Sequence, residues 1–286
     1  MNALARLAWF ALAFVAMADA SAQARRTDEL LRRSGTWKQM GQYEAMIGAG
    51  IENQLALEAQ ASQGHPMDPN ERVLIRKAAA KAFNAERMRS DVRAVFVKEL
   101  TAEDEAQALV WFTSSLGTRL TKIEENYGEM SDPVALEARE KAVVKYAKAA
   151  PKARLALMRR MAAATNAGEL AARMVANTTV AILYGAAAST NGDITPAQKM
   201  RDDFEARHPV MVAAMTETSV AIFAYMYRTV SDEDFDRYIQ FAESPAGLRM
   251  SDATLIGMDQ AFSRASLEFG LELGELGKRQ TVRRSA

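Results

Sequence analysis

The second half of the chain repeats the first, and a repeat constrains a fold tightly, because both copies must satisfy one architecture. Leu30-Leu31-Arg32-Arg33 recurs as Leu157-Met158-Arg159-Arg160, and Pro69 recurs as Pro196, both 127 positions on. Further along the spacing becomes 130. There Thr101-Ala102-Glu103-Asp104 aligns with Ser231-Asp232-Glu233-Asp234, Leu109 with Ile239, and Trp111 with Phe241. Ser114, Gly117 and Arg119 then meet Ser244, Gly247 and Arg249. Order and common offset give these matches their weight. They divide the chain into a degenerate N-terminal repeat over 25–130, a connector over 131–154, a C-terminal repeat over 155–277 and a basic, frayed tail over 278–286.

Within each copy the apolar residues recur with helical spacing, and prolines and glycines are few. The expected class is all-α, a helical bundle of two related halves. Helices are expected at 27–33, 36–62, 69–99, 102–114, 116–128, 133–149, 152–188 with a break near 165–168, 196–207, 209–229, 232–243 and 245–276. Asp68-Pro69-Asn70-Glu71 and Thr195-Pro196-Ala197-Gln198 carry N-cap chemistry with proline at the first helical position. Thr101 and Ser231 each stand three residues before an aspartate, which favours the free amides of a helix start. Asn191-Gly192-Asp193 is a turn signal.

Ser231-Asp232-Glu233-Asp234 through Gln240-Phe241-Ala242-Glu243-Ser244-Pro245-Ala246-Gly247 resembles the signature of domain of unknown function 2059, a family of exported bacterial helical proteins. Trp111-Phe112-Thr113-Ser114-Ser115-Leu116-Gly117 is a weaker version, with Ser115 in place of the proline. The resemblance implies a helical fold and export, and brings no catalytic or binding residues with it. The motif also has a purely structural reading. Phe235, Tyr238, Ile239 and Ala242 form one buried stripe, Ser244 caps the next helix, Pro245 starts it, and Gly247 sits where the two helices approach closely.

Met1–Arg6 carries one cation, followed by the apolar run Leu7–Ala18, which is too short to span a bilayer and has the length of a secretory h-region. Ala22-Gln23-Ala24 then offers an A-x-A site, with Ala20-Ser21-Ala22 as second choice. The expectation is a cleaved signal peptide, a mature chain from Arg25 and a periplasmic location. Cysteine is absent, so there is neither a disulfide nor a lipid-anchoring thiol. Lys plus Arg and Asp plus Glu balance at 36 each, which argues against nucleic acid as partner. No stable membrane insertion is expected after cleavage: Val210–Tyr227 is the most apolar stretch, it carries Glu217 at its middle, and it reads as a buried core helix.

No cofactor motif stands out. Glu205-Ala206-Arg207-His208 is half of a di-iron motif, but His65 has no glutamate at the matching position. Met158/Met161 and Met211/Met215 could set thioethers on one face for Cu(I), but methionine is a common core filler. Glu217 is the exception in an apolar helix, so burial would require a partner, and the repeat nominates Arg87. Glu217, Arg87, Arg119 and Arg249 are therefore the candidate site residues, structural or binding, with no catalytic or metal assignment. Function is expected to be binding of a protein partner, with carriage of an apolar small molecule between 170–188 and 209–229 as alternative and a carboxylate-dependent hydrolase third.

Overall fold

The computed structural model describes residues 22–61, 68–129 and 133–285. They are helical almost throughout and, among the described residues, contain no strand. Helix α1 spans 22–33 and α2 Thr36–Ala61, separated by Gly35 at positive φ. Then come α3 (Pro69–Ala82), α4 (Ala85–Glu99), α5 (Ala102–Thr113), α6 (Ser115–Gly128) and α7 (Pro133–Ala149). The second half holds α8 (Lys152–Ala164), α9 (Ala167–Ser189), α10 (Thr195–Met226), α11 (Asp232–Ala242) and α12 (Pro245–Ser285). Leu7–Ala18, most of the proposed leader and His65 lie outside the described residues.

Four boundaries differ from expectation. The helix read over 69–99 breaks at Phe83-Asn84, where the Asn84 side chain accepts from the Arg87 amide and starts α4. The helices read at 196–207 and 209–229 are one, α10, with Pro209 inside it. Proline removes a single intrahelical bond. Packing on α9 holds both segments in line: His208 lies beside Glu169 before the proline, and Val212 and Thr216 press on Gly168 after it. Asp193, rather than Thr195, supplies the side-chain oxygen at the start of α10, accepting from the Thr195 amide at 2.8 Å. The tail expected to fray continues α12 to Ser285.

The two capped hairpins, α5–α6 and α11–α12, make the same bonds. Thr101 caps α5 with Asp104 closing a full capping box, and Ser231 caps α11 by accepting from the Asp234 amide. At the turns Ser114 Oγ donates to Trp111 O and accepts from the Gly117 amide, while Ser244 Oγ donates to Phe241 O and accepts from the Gly247 amide. A Cβ on Gly117 or Gly247 would lie 2.1 Å from that same carbonyl oxygen. Glycine is required at both.

The apolar residues gather in two cores, and each core draws a helix from the other half. The first joins Leu30 and Leu31 of α1 and residues of α2 to α5 with Met250, Ala253, Met258, Ala261, Phe262, Ala265 and Phe269 of α12. The second joins Met158 and Met161 of α8, Val220 and Ala224 of α10, and Phe235 and Ile239 of α11 with Leu120 of α6. Leu116, Ile123 and Tyr127 extend that α6 stripe at helical spacing. Leu120 and Met250 are repeat-related positions, and each is buried in the core opposite its own half.

The stretch Val210–Tyr227 is not a buried core helix. It is a half-covered layer in which only Val220, Ala224, Met226 and Tyr227 are fully buried. Helices α9 and α10 both pass a length-and-composition test for crossing a membrane. In the fold, however, α9 lies between α12 and α10, and the charged segment Lys199–Glu205 shares α9's hairpin, so the pair does not present two aligned apolar spans. Replacing Gly117 or Gly247 with alanine is expected to cost roughly 1–3 kcal/mol through overpacking. Chemical denaturation of the two variants should report similar losses.

Candidate functional site

The seam where the hairpins cross joins a three-ring aromatic stack to two ion pairs. Trp111 stacks on Phe241 with ring centroids 5.1 Å apart and planes 8° from parallel, and on Tyr238 at 5.4 Å and 12°. Trp111 and Phe241, paired by the repeat, therefore touch each other. On either side lie two reciprocal ion pairs: Arg249 donates to Asp104 at 2.7 Å, and Arg119 donates to Asp234. Arg119 and Arg249 are repeat-related, as are the two aspartates, so residue i meets j and j meets i as in an isologous interface. Sequence reasoning selected both arginines without their partners.

The pairs differ in burial. Asp104 is 1% exposed, whereas Asp234 keeps contact with solvent. Burial alone would raise the Asp104 pKa, but hydrogen bonds from Arg249 and from the hydroxyl and amide of Thr101, with the charge of Arg249, hold it below the usual carboxylate value. A depressed carboxylate stabilises the fold above its unfolded pKa, and that contribution fades as pH falls through the folded value.

Three polar clusters, two buried and one half-buried, were not anticipated. Glu105, fully buried, accepts from the Thr27 hydroxyl and, at 3.4 Å, from Arg26. At the repeat offset it occupies the place of buried Phe235, so the alignment itself signalled a carboxylate in a core position. Arg154, also buried, donates to Asp232 and, at 2.7 Å, to the Tyr227 carbonyl, with its guanidinium 5.2 Å from the Phe235 ring. Glu124 of α6 accepts from the hydroxyls of Tyr227 (2.5 Å) and Tyr238 (2.9 Å). Burial raises its pKa against the lowering effect of these two donors. The cavity beside it, also lined by Thr121 and Gln42, holds only about 50 Å³, room for a water or two and not for a substrate.

Glu217 is not where it was expected. It is exposed and pairs through both carboxylate oxygens, at 3.0 Å each, with Arg159 of α8 rather than with Arg87. The reason is helical phase: neighbouring Thr216 faces Gly168 on α9, and one residue further round turns Glu217 to solvent. Arg87 makes a bidentate pair with Glu268 of α12, both bonds at 2.6 Å. Lys81 reaches Glu272 one turn on, so two ion pairs tie α12 to α3 and α4. They cross a cleft of about 520 Å³, which is also lined by Ala78, Ala82, Leu271 and Arg279. A second groove of about 200 Å³ runs between α2 and α3 over Ile47, Ile51, Ala79 and Phe83. Of the helices expected to line an apolar cavity, α9 contributes only Ser189 to these three concavities and α10 nothing.

His208 meets Glu169, and no group of three His, Cys, Asp or Glu side chains that could hold a metal occurs among the described residues. Met158 and Met161 are core residues of α8. Comparison of the chain with family models, curated proteins and solved structures finds no match.

Arg249→Ala leaves the Asp104 carboxylate buried without its counter-charge and is expected to cost about 3 kcal/mol. Arg159→Ala removes an exposed pair and should cost less than about 1 kcal/mol. Thermal and denaturant unfolding of the two variants checks the contrast. Below about pH 4, where unfolded aspartates titrate, wild type should lose stability on acidification more steeply than Asp104→Asn, which has no such proton to take up.

Proposed function

We propose that this chain is an exported, non-catalytic binding protein built from two copies of one helical unit. One observation carries the binding reading: four carboxylates of the seam and the 520 Å³ cleft are closed on basic side chains of the fold itself. Asp104 with Arg249, Asp234 with Arg119, Glu268 with Arg87 and Glu272 with Lys81 form such pairs, and the tyrosine hydroxyls bind Glu124. Groups held this way fix a scaffold, whereas a catalytic acid or base faces a space that a substrate can enter. The α12 cleft, rimmed by both signs of charge, suits a polar protein surface more than an apolar small molecule.

The recurring caps, turns and reciprocal pairs support the duplication. The apolar run before Ala20, the small residues that follow, and the resemblance of Ser231–Gly247 to an exported family support export. The Gln23 side chain donates to Val97 O at 3.0 Å, a contact that cleavage after Ala22 keeps and cleavage after Ala24 removes.

Amino-terminal sequencing of the protein from a periplasmic fraction should read from Arg25, or from Gln23 if the second cut is used. Intact Met1 in the cytoplasm would contradict export. A native mass spectrum of the same sample should show the polypeptide without a tightly held apolar ligand. A stoichiometric lipid-like adduct surviving purification would replace binding of a protein by carriage.

A further inference from the structure

We infer that the small cavity between the α1–α2 turn and α6 binds a hard monovalent cation, Na+ or K+. Ser34 of the turn, Gln39 and Gln42 of α2, and Thr121, Glu124 and Glu125 of α6 line it. Each of these side chains carries an oxygen, and none carries sulfur or imidazole, which suits a hard ion rather than a soft one. The volume, about 50 Å³, admits an ion with a water and no organic molecule.

The first observation is an unanswered charge. Glu124 is half-buried, and its hydrogen bonds come from two neutral hydroxyls, Tyr227 and Tyr238, both of which reach Oε1. Among the described residues no ammonium or guanidinium group pairs with it. Its neighbour differs: Glu125 is met by Lys38 at 3.2 Å and by Lys122 at 3.4 Å. A carboxylate drawn out of water without a counter-charge is costly, so the site calls for a proton or a cation. One uncompensated negative charge among neutral oxygens matches a single positive charge.

The second observation is a buried hydroxyl with no bond. Thr121 is 6% exposed, and its Oγ1 has no hydrogen-bond partner. Other helical threonines of this fold bond the carbonyl one turn back, as Thr113, Thr179 and Thr254 do. Thr121 forgoes that bond and lines the cavity instead. An orphaned hydroxyl is destabilising, and a cation beside it accepts the lone pair that nothing else uses.

The third observation comes from the corresponding place in the second half, where the α8–α9 turn meets α12 as the α1–α2 turn meets α6. The turn residue there is Asn166, at φ 50°, and its side-chain amide donates to Ser251 Oγ at 3.3 Å and to Asp252 Oδ1 at 2.9 Å. Ser251 is the residue that the 130 spacing pairs with Thr121. In the second half, then, this hydroxyl has an electropositive partner built into the chain. In the first half the turn residue is Gly35, at φ 77°, which faces Thr121 and has no side chain to extend toward it. A diffusible cation does here what the Asn166 amide does there.

The test follows thermal unfolding of the mature full-length chain by circular dichroism while choline chloride is exchanged for sodium chloride, or for potassium chloride. Ionic strength stays constant, so general screening cancels. A ligand of the folded state multiplies the folded-to-unfolded ratio by one plus its concentration over Kd. The midpoint should therefore climb with the alkali ion, and the ion that half-saturates at the lower concentration is the occupant. Two variants should fold in choline chloride and lose the response. Thr121→Val removes the hydroxyl at nearly constant shape, and Gly35→Asn installs the amide of the second half at a positive φ that asparagine accepts. If one fails to fold, the other decides, together with the sodium NMR line, which wild type should broaden and added potassium should sharpen. A midpoint indifferent to both alkali ions would overturn the inference, leaving water in the cavity or a proton on Glu124. A response to calcium alone, or one retained by either folded variant, would overturn it too.

Discussion

Everything in this fold depends on the exchange of one helix between its two halves. The last helix of each hairpin reaches across into the other half while still packing on its own: α6 inserts Leu120 into the core built by α8, α10 and α11, and α12 inserts Met250, Ala253, Met258 and Phe262 into the core of α1 to α5. The crossing is held at its centre by the Trp111–Phe241 stack and on its flanks by the Arg249–Asp104 and Arg119–Asp234 pairs. Neither core is complete without the other half's helix, so the halves stand or fall together. This reciprocal arrangement is what an isologous dimer would leave after its two chains were joined in tandem.

The elements of this exchange that rest on local chemistry were readable from the residues. Threonine or serine three positions before an aspartate marked the starts of α5 and α11, and Ser-x-x-Gly marked both hairpin turns, because caps and tight turns are decided within a few residues. The Asn84 break carried a local signal as well, an N-cap residue, but it was masked by continuous helical spacing on either side. What depends on distant packing was not readable. Pro209 marks a helix boundary by local rules, yet α10 passes through it because α9 holds both sides. Glu217 sits in an apolar run, yet helical phase turns it outward to Arg159. The burial of Glu105 and Arg154, and the pairing of half-buried Glu124 with two tyrosines, arise from which helices meet, and only the alignment of Glu105 with Phe235 hinted at any of it.

The two halves also differ in how they fill equivalent places. The first half fills the space between its opening helix and its capped helix with a hydrogen-bonded carboxylate, Glu105 with Thr27. The second fills it with Arg154 over Phe235, bonded to Asp232 and the Tyr227 carbonyl. The second half covers its long helix with the extension of α12 and pins that extension through Glu268 and Glu272 to Arg87 and Lys81. Among the described residues the first half has no such extension over α2.

The interlock makes unfolding its most direct test. Leu120→Ala leaves a hole in the core of the second half although the residue belongs to the first, at an expected cost of about 2–5 kcal/mol. Denaturant unfolding of this variant should be followed, in a Trp111→Phe background of the mature chain, by fluorescence of Trp37, which packs on the first core, and by far-ultraviolet circular dichroism over all helices. Interlocked cores require one transition, displaced equally for both probes. A Trp37 transition that stays at its wild-type midpoint while circular dichroism shifts would show that the cores unfold independently and would contradict the exchange of α6 and α12.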